Sequence, residues 1–296
     1  MKSKRKIFIA FILNLFFAVI EFIGGSICGS VAIISDSLHD TGDAMSIGIS
    51  YFMEKKSGKK PDEKYTFGYA RYSVIGSVIT LCILILGSIA VIIKSVERIV
   101  SPIEINYNYM LIFAIFGVCI NFIAVVFTHG GKSLNQRAVN LHMLEDCLGW
   151  IVVLIGAVIM KLTGIALIDP IMSIGVAVFI LISSIKAMSE SISVLLQKVP
   201  SGICIEHLKE HLEEIDGVED IHHLHVWSLD GERSIATLHA KISGNAHDIK
   251  EKIKNELSHF GVAHSTVEIE YESEECHDAF CDIGEHHIRE CCHHHH

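Results

Sequence analysis

Two short phrases of this sequence combine metal-binding side chains at one spacing. They are His39-Asp40-Thr41-Gly42-Asp43 and His142-Met143-Leu144-Glu145-Asp146. At 3.6 residues per turn, an i, i+4 pair lies on one face of a helix, about one turn apart. Two such helices packed face to face direct two imidazoles and two carboxylates at one point. That is a four-coordinate nitrogen and oxygen shell suited to Zn²⁺. A single His–Asp pair also reads as a buried hydrogen bond, but the same pair in two segments favours a metal. Asp36 and Asp40 lie within about a third of a turn of the His39–Asp43 direction, and Glu145 adjoins Asp146. They read as outer contacts or a proton path, or as plain interhelical polar positions. Asn14 and Glu21 are seven residues apart, share a helix face and read as lining the same polar interior.

The segments that must position these residues are apolar. The chain has 296 residues, of which 50% are hydrophobic, and its mean hydropathy is +0.44. This composition excludes an ordinary soluble domain and a disordered chain. The net charge of −10 argues against a nucleic-acid binder, whose footprint would be basic. A spanning helix needs roughly 20 mostly apolar residues, and six segments qualify, near 7–28, 31–53, 74–93, 109–127, 141–162 and 165–185. The second and fifth are the least apolar, and they carry the two His–Asp pairs. Ionisable groups at that depth cost roughly 2.5–3.5 kcal/mol each on insertion scales and mark function. The first segment is too long for a signal peptide and lacks a small-residue cleavage pattern.

Charge sets the orientation. Lys2, Lys4, Arg5, Lys6, Lys55, Lys56, Lys59, Lys60, Lys64, Arg71, Lys132 and Arg137 fall on one side of a six-span topology, against Lys94, Arg98 and Lys161 on the other. The positive-inside rule then places both termini in the cytoplasm. From residue 201 onward there are 7 basic and 21 acidic residues, and 16 of the 19 histidines. This acidic, histidine-rich region is therefore expected in the cytosol, where disulfides are disfavoured and its cysteines are free thiols or metal ligands. Its pattern reads helix, strand, strand, helix, strand, with a hairpin signal at Asp230-Gly231. That αββαβ order predicts a ferredoxin-like α+β domain. Strict alternation along the first strand puts His223 and His225 on one face and His222 on the other. The domain plan is a membrane region at 1–200, a cytosolic domain at 201–275 and a Cys/His-rich tail at 276–296. The last four histidines, 293–296, have the form of a purification tag and carry no functional argument.

At these residues the chain resembles the cation diffusion facilitator family of metal/proton antiporters. The resemblance runs through Ser35-Asp36-Ser37-Leu38-His39 into Asp43, Asp62 to Arg71, His142 to Asp146 and Ile168-Asp169-Pro170. It continues in His225-Val226-Trp227-Ser228 and in His264 to Glu270. It implies a polytopic α-helical membrane protein with six transmembrane helices, exporting Zn²⁺, with Cd²⁺ tolerated, from the cytosol in exchange for protons. The implied transport ligands are His39, Asp43, His142 and Asp146. Imidazole at position 39 agrees with zinc over harder ions. The resemblance also implies a regulatory cytosolic site at His222, His239, Glu268 and Glu270, with His247 or His264 joining. A loop site after the second span would use Asp62, but Tyr65 stands where the family's pattern has a histidine. The implied partners are divalent ions, protons, membrane lipid and a second copy of the chain, with no nucleic acid. The implied location is a prokaryotic inner membrane. Rival readings are broader Co/Fe/Mn specificity, a membrane metalloenzyme and a metal sensor. The chain lacks His-Glu-x-x-His, and four protein ligands would close a catalytic zinc to water, so no enzyme activity is expected.

Overall fold

The computed structural model describes residues 2–28, 31–100, 107–163 and 167–271. The tail cysteines and histidines, from Cys276 onward, lie outside the described residues. The chain forms two compact units, the first of residues 1–196 with 229–232 and the second of 197–228 with 233 onward.

The first unit holds six long helices: α1 (Lys2–Cys28), α2 (Val31–Ser57), α3 (Arg71–Val100), α4 (Tyr107–Thr128), α5 (Leu134–Thr163) and α6 (Ile168–Leu195). Helices satisfy every backbone donor within the segment, which is why apolar chains adopt them in lipid. Among the described residues, α1, α3, α5 and α6 contain stretches long and apolar enough to cross a membrane. α4 is apolar along its length, and its described side chains include the apolar stretch Ala114–Thr128. In α2, Asp36, Asp40 and Asp43 interrupt the apolar sequence. The helices also extend past the apolar runs: Lys55 and Lys56 end α2, Arg71 opens α3 and Arg137 lies inside α5. The outer surface is apolar, with Phe16, Leu86, Phe122 and Phe179 all more than half exposed. A contiguous apolar exterior of this kind belongs against lipid rather than water.

The interior is built from small and polar residues, as expected where lipid offers no hydrophobic drive for helices to associate. The buried face of α3 carries Ser73, Gly76, Ser77, Thr80 and Ser88. It packs on α6, where Ser77 and Ser191 share a hydrogen bond of 2.9 Å. Ile7, Ala10, Ile47, Ala124, Val139 and Met143 join α1, α2, α4 and α5 in one apolar cluster. Between α4 and α5 the approach is close: a Cβ at Gly117 would lie 2.3 Å from Trp150 Cδ2. Phe17 of α1 meets the Trp150 ring edge-on, with centroids 5.4 Å apart. Only glycine fits at position 117 without displacing that indole.

A buried polar network ties α2, α3 and α5 together. Ser73 Oγ donates to Glu54 Oε2 at 2.7 Å, and Asn135 Nδ2 donates to the Ser50 carbonyl at 2.8 Å and to Glu54 Oε2 at 3.3 Å. Ser50 Oγ completes it by donating to Asn135 Oδ1. All four residues are buried. Gly76 makes room for them, since a Cβ there would lie 2.8 Å from Asn135 Oδ1 and 2.9 Å from Met53 Cβ.

The second unit holds α7 (Ile205–Glu213), β1 (Val218–Ser228), β2 (Ser234–Ile242), α8 (Ala246–His259) and β3 (Val262–Glu270). The αββαβ order is the one read from sequence. The strands lie in the order β1-β2-β3, with β1 and β2 antiparallel and β2 and β3 parallel. A parallel neighbour requires a crossover, and α8 supplies it. Leu208 and Leu212 of α7, and Ile249, Ile253 and Leu257 of α8, recur at helical spacing and bury against Ile221, Val226, Leu238 and Ala240 of the sheet. Asn245 caps α8, accepting the His247 backbone N–H at 3.0 Å.

Candidate metal centres

The first centre lies between α2 and α5. Donor atoms of Asp43, His142 and Asp146 all lie within 4.8 Å of one another. His142 Nε2 is 3.7 Å from Asp43 Oδ1. Asp43 and His142 are buried and Asp146 is half-buried. His39 stands on α2 one turn before Asp43, and its side chain lies outside the described residues, as does that of Asp36. Asp40 is half-buried. Glu145, read as a neighbour of Asp146, accepts a hydrogen bond from Ser88 Oγ of α3 at 3.1 Å. Asn14 Nδ2 of α1 donates to Asp146 Oδ2 at 3.3 Å, which gives the polar α1 face read from sequence a specific contact. Three convergent oxygen and nitrogen donors, two of them carboxylates, form the kind of shell that holds a divalent cation.

The second centre lies on the open face of the small sheet. Register sets His222 opposite His239, and His239 beside Glu268. The Glu270 carboxylate bridges two imidazoles: Oε1 lies 2.6 Å from His239 Nδ1 and Oε2 lies 3.1 Å from His222 Nε2. Glu268 reaches the other nitrogen of His239, at 3.3 Å. His222, His239 and Glu270 form one potential ligand group. His247, in the first turn of α8, and His264, on β3, are exposed and fall outside it. Asp220, which sequence reasoning passed over, lies 2.9 Å from His222 Nδ1 and orients that ring from two positions upstream.

Strict alternation along β1 does not hold. Between the His222↔His239 and His225↔Thr237 pairs, β1 has two residues opposite one of β2. This bulge puts His223 in the left-handed region, at φ 48°. Its ring centroid comes within 5.3 Å of His222 and 4.9 Å of His239. An extra residue in one strand resets which face each later side chain occupies. His222 and His223 therefore share a face that simple alternation would divide.

In the loop between α2 and α3, both Asp62 oxygens serve the loop itself. Oδ1 accepts the Lys64 and Tyr65 backbone N–H groups at 3.0 and 2.9 Å, and Oδ2 accepts the Tyr69 hydroxyl at 2.6 Å. The Tyr69 hydroxyl, then the Tyr65 N–H, hold the Asp62 carboxyl below its ordinary pKa. Donation to Asp62 in turn pushes the Tyr69 phenol up to about 12. The carboxylate's contribution to loop order is therefore complete above its ordinary value of 3.8 and lost as pH falls through the lower folded value. Asp62→Asn should return Tyr69 toward the ordinary phenol value of 10.0. Tyrosinate absorbance should then show one phenol moving from the pH 12 region to near 10. An unchanged titration would contradict the contact.

Among the described residues, Cys82, Cys119, Cys147 and Cys204 are free thiols.

The comparisons with known proteins agree with these two units. The family profile described as cation efflux transmembrane domain matches residues 7–196, and the one described as cation efflux protein, cytoplasmic domain, matches residues 200–272. A protein named zinc transporter ZitB, from Yersinia pestis, is 35% identical over 99% of this chain and 96% of its own length. The cadmium, cobalt and zinc/H(+)-K(+) antiporter of Bacillus subtilis strain 168 is 30% identical over 92% of this chain and 90% of its own. The metal cation efflux system protein CzcD of Cupriavidus metallidurans is 27% identical over 90% of this chain. The family consists of transporters, so the metalloenzyme reading falls away. With both halves matched and full-length relatives above 30% identity, the chain belongs to the cation efflux family of integral membrane metal transporters.

Proposed function

We propose that the protein exports Zn²⁺ from the cytosol in exchange for protons, through an intramembrane site of His39, Asp43, His142 and Asp146. The observation that carries this reading is the convergence of Asp43, His142 and Asp146 from α2 and α5 within 4.8 Å. Two carboxylates balance the charge of a divalent ion, and neutral imidazole selects Zn²⁺ and Cd²⁺ over harder cations. Binding displaces protons, because a ligating imidazole is neutral and a ligating carboxylate ionised. Histidine, with an ordinary pKa of about 6.5, makes that exchange near neutral pH. The names of the Yersinia and Bacillus relatives support zinc as cargo, and the latter supports proton coupling.

All six long helices cross the bilayer in this reading, with both termini in the cytoplasm of a prokaryotic cell. α2 and α5 carry their polar residues toward the ion rather than toward lipid. The membrane region is 1–200, followed by a ferredoxin-like domain at 201–275 that pairs two copies of the chain and a Cys/His-rich tail at 276–296. His222, His239, Glu270 and the adjoining Glu268 hold a second, regulatory Zn²⁺. The acidic surface around them raises the local cation concentration.

The test is metal-dependent proton movement in proteoliposomes, compared across Zn²⁺, Cd²⁺, Co²⁺ and Mn²⁺. Zn²⁺ and Cd²⁺ should drive the largest opposing proton flux and Mn²⁺ the smallest. Metal uptake without proton movement would overturn the exchange, and no metal uptake would overturn transport itself.

A further inference from the structure

We infer that Asn14 is a positioning and specificity-determining residue of the intramembrane cation site, its amide nitrogen holding Asp146 and its amide oxygen serving as a further, uncharged donor to the ion. The inference rests on reading Asp146 as a transport ligand. Asn14 is 4% exposed, in the middle of α1. Its Nδ2 lies 3.3 Å from Asp146 Oδ2. Its Oδ1 is buried and has no hydrogen-bond partner among the described residues. The two atoms belong to one planar amide, so the unpartnered oxygen sits beside the same carboxylate that the nitrogen holds.

A buried amide oxygen left unpaired is destabilising. Turning the amide over does not relieve that cost when Asp146 is ionised, because two acceptors would then face each other. A cation bound by Asp146 supplies the missing partner. The amide oxygen is neutral, so two carboxylates still balance a divalent charge while the shell gains a donor. Carbonyl oxygen is a hard ligand, and an added one favours ions that readily take more than four donors over Zn²⁺, which is most often four-coordinate. Asn14 would thus widen the range of cations carried by a site whose imidazoles favour zinc.

Two near-isosteric variants of the full chain in proteoliposomes separate the roles. Asn14→Leu removes both the donor and the oxygen. It should raise KM for Zn²⁺ about tenfold, in the range for losing a group that orients a metal ligand, while Vmax changes little. The ratio of Co²⁺ to Zn²⁺ flux should fall several-fold. Asn14→Asp keeps a hard oxygen but replaces the N–H with a further carboxylate that repels Asp146, so KM should rise while the Co²⁺ to Zn²⁺ ratio does not fall. Unaltered KM and unaltered metal ratio in the Leu variant would overturn the inference. So would a loss of Vmax in both variants with KM unmoved, which would mark Asn14 as structural only. Should the Leu variant fail to fold, an unaltered KM in the Asp variant overturns the positioning role and a fallen Co²⁺ to Zn²⁺ ratio overturns the donor role. Asp43→Ala, measured alongside, separates the two levels: if it transports normally the ligand reading fails, whereas if it is inactive and Asn14→Leu is unaltered only the role of Asn14 fails.

Discussion

Asp43→Ala should reduce Zn²⁺-driven proton flux by more than about 100-fold while the protein still elutes as a folded, monodisperse species. Losing an outer group that orients a ligand typically costs 10–100-fold in affinity, and Asp43 is proposed as a ligand. It also contributes half of the carboxylate charge in the ligand set. Without it, a bound divalent ion would keep about one uncompensated positive charge in a medium where such a charge is strongly disfavoured. Asp43→Asn tests the charge apart from the shape and should lose nearly as much. The second centre gives an internal control, because His222, His239 and Glu270 are untouched. Equilibrium Zn²⁺ binding should fall by the intramembrane ion only. Undiminished flux in Asp43→Ala would sink the ligand assignment.

The second large effect concerns stability. Asn135→Leu should destabilise the helical unit by about 2–3 kcal/mol, the range for removing a hydrogen bond to a buried charged group. Asn135 Nδ2 is one of two side-chain donors described on Glu54 Oε2, the other being Ser73 Oγ. Removing it leaves a buried carboxylate with one of them and strands Ser50 Oγ, whose acceptor was Asn135 Oδ1. Leu also sits where a Cβ on Gly76 would already be too close, so the pocket cannot readily collapse onto the new side chain. Glu54→Gln in the same background should recover part of the loss, since it removes the charge that needed the donor. Thermal unfolding in detergent measures both variants. A double variant no more stable than Asn135→Leu would show that the loss is packing rather than charge.

The two centres differ in how legible they were. A His–Asp pair at i, i+4 on a helix is fixed by helical pitch alone. The face shared by Asp43 and His39, and by His142 and Asp146, therefore follows from residue spacing, and α2 and α5 bring three of those groups together. The sheet site was legible in its residue types but not in its geometry. His223 joins His222 only because of a bulge whose left-handed residue is a histidine, and nothing in an alternating pattern announces it. Asp220 was passed over for a related reason: an acidic residue in an acidic strand looks like surface until its partner is seen. Glu54 was hidden by its neighbours, since a glutamate followed by Lys55 and Lys56 reads as the solvated end of a helix. It is buried because Ser73 and Asn135 arrive from α3 and α5, a long-range meeting that local patterns do not encode. The low hydropathy of α2 was readable directly, because three carboxylates reduce it and one of them, Asp43, is proposed to bind the ion.

The close fit of Gly117 under Trp150 has an optical consequence. The chain holds two tryptophans, Trp150 on α5 and Trp227 on β1, so each compact unit carries one natural fluorophore. Trp150 lies one helical turn beyond Asp146 on the same face, and its indole is wedged between Phe17 and the bare backbone of Gly117. Any rearrangement of α1, α4 or α5 around the proposed ion site changes the polarity and quenching around that ring, while Trp227 responds to the sheet. Replacing one or the other with phenylalanine would let ultraviolet emission follow the helical unit and the sheet unit separately, without an added dye.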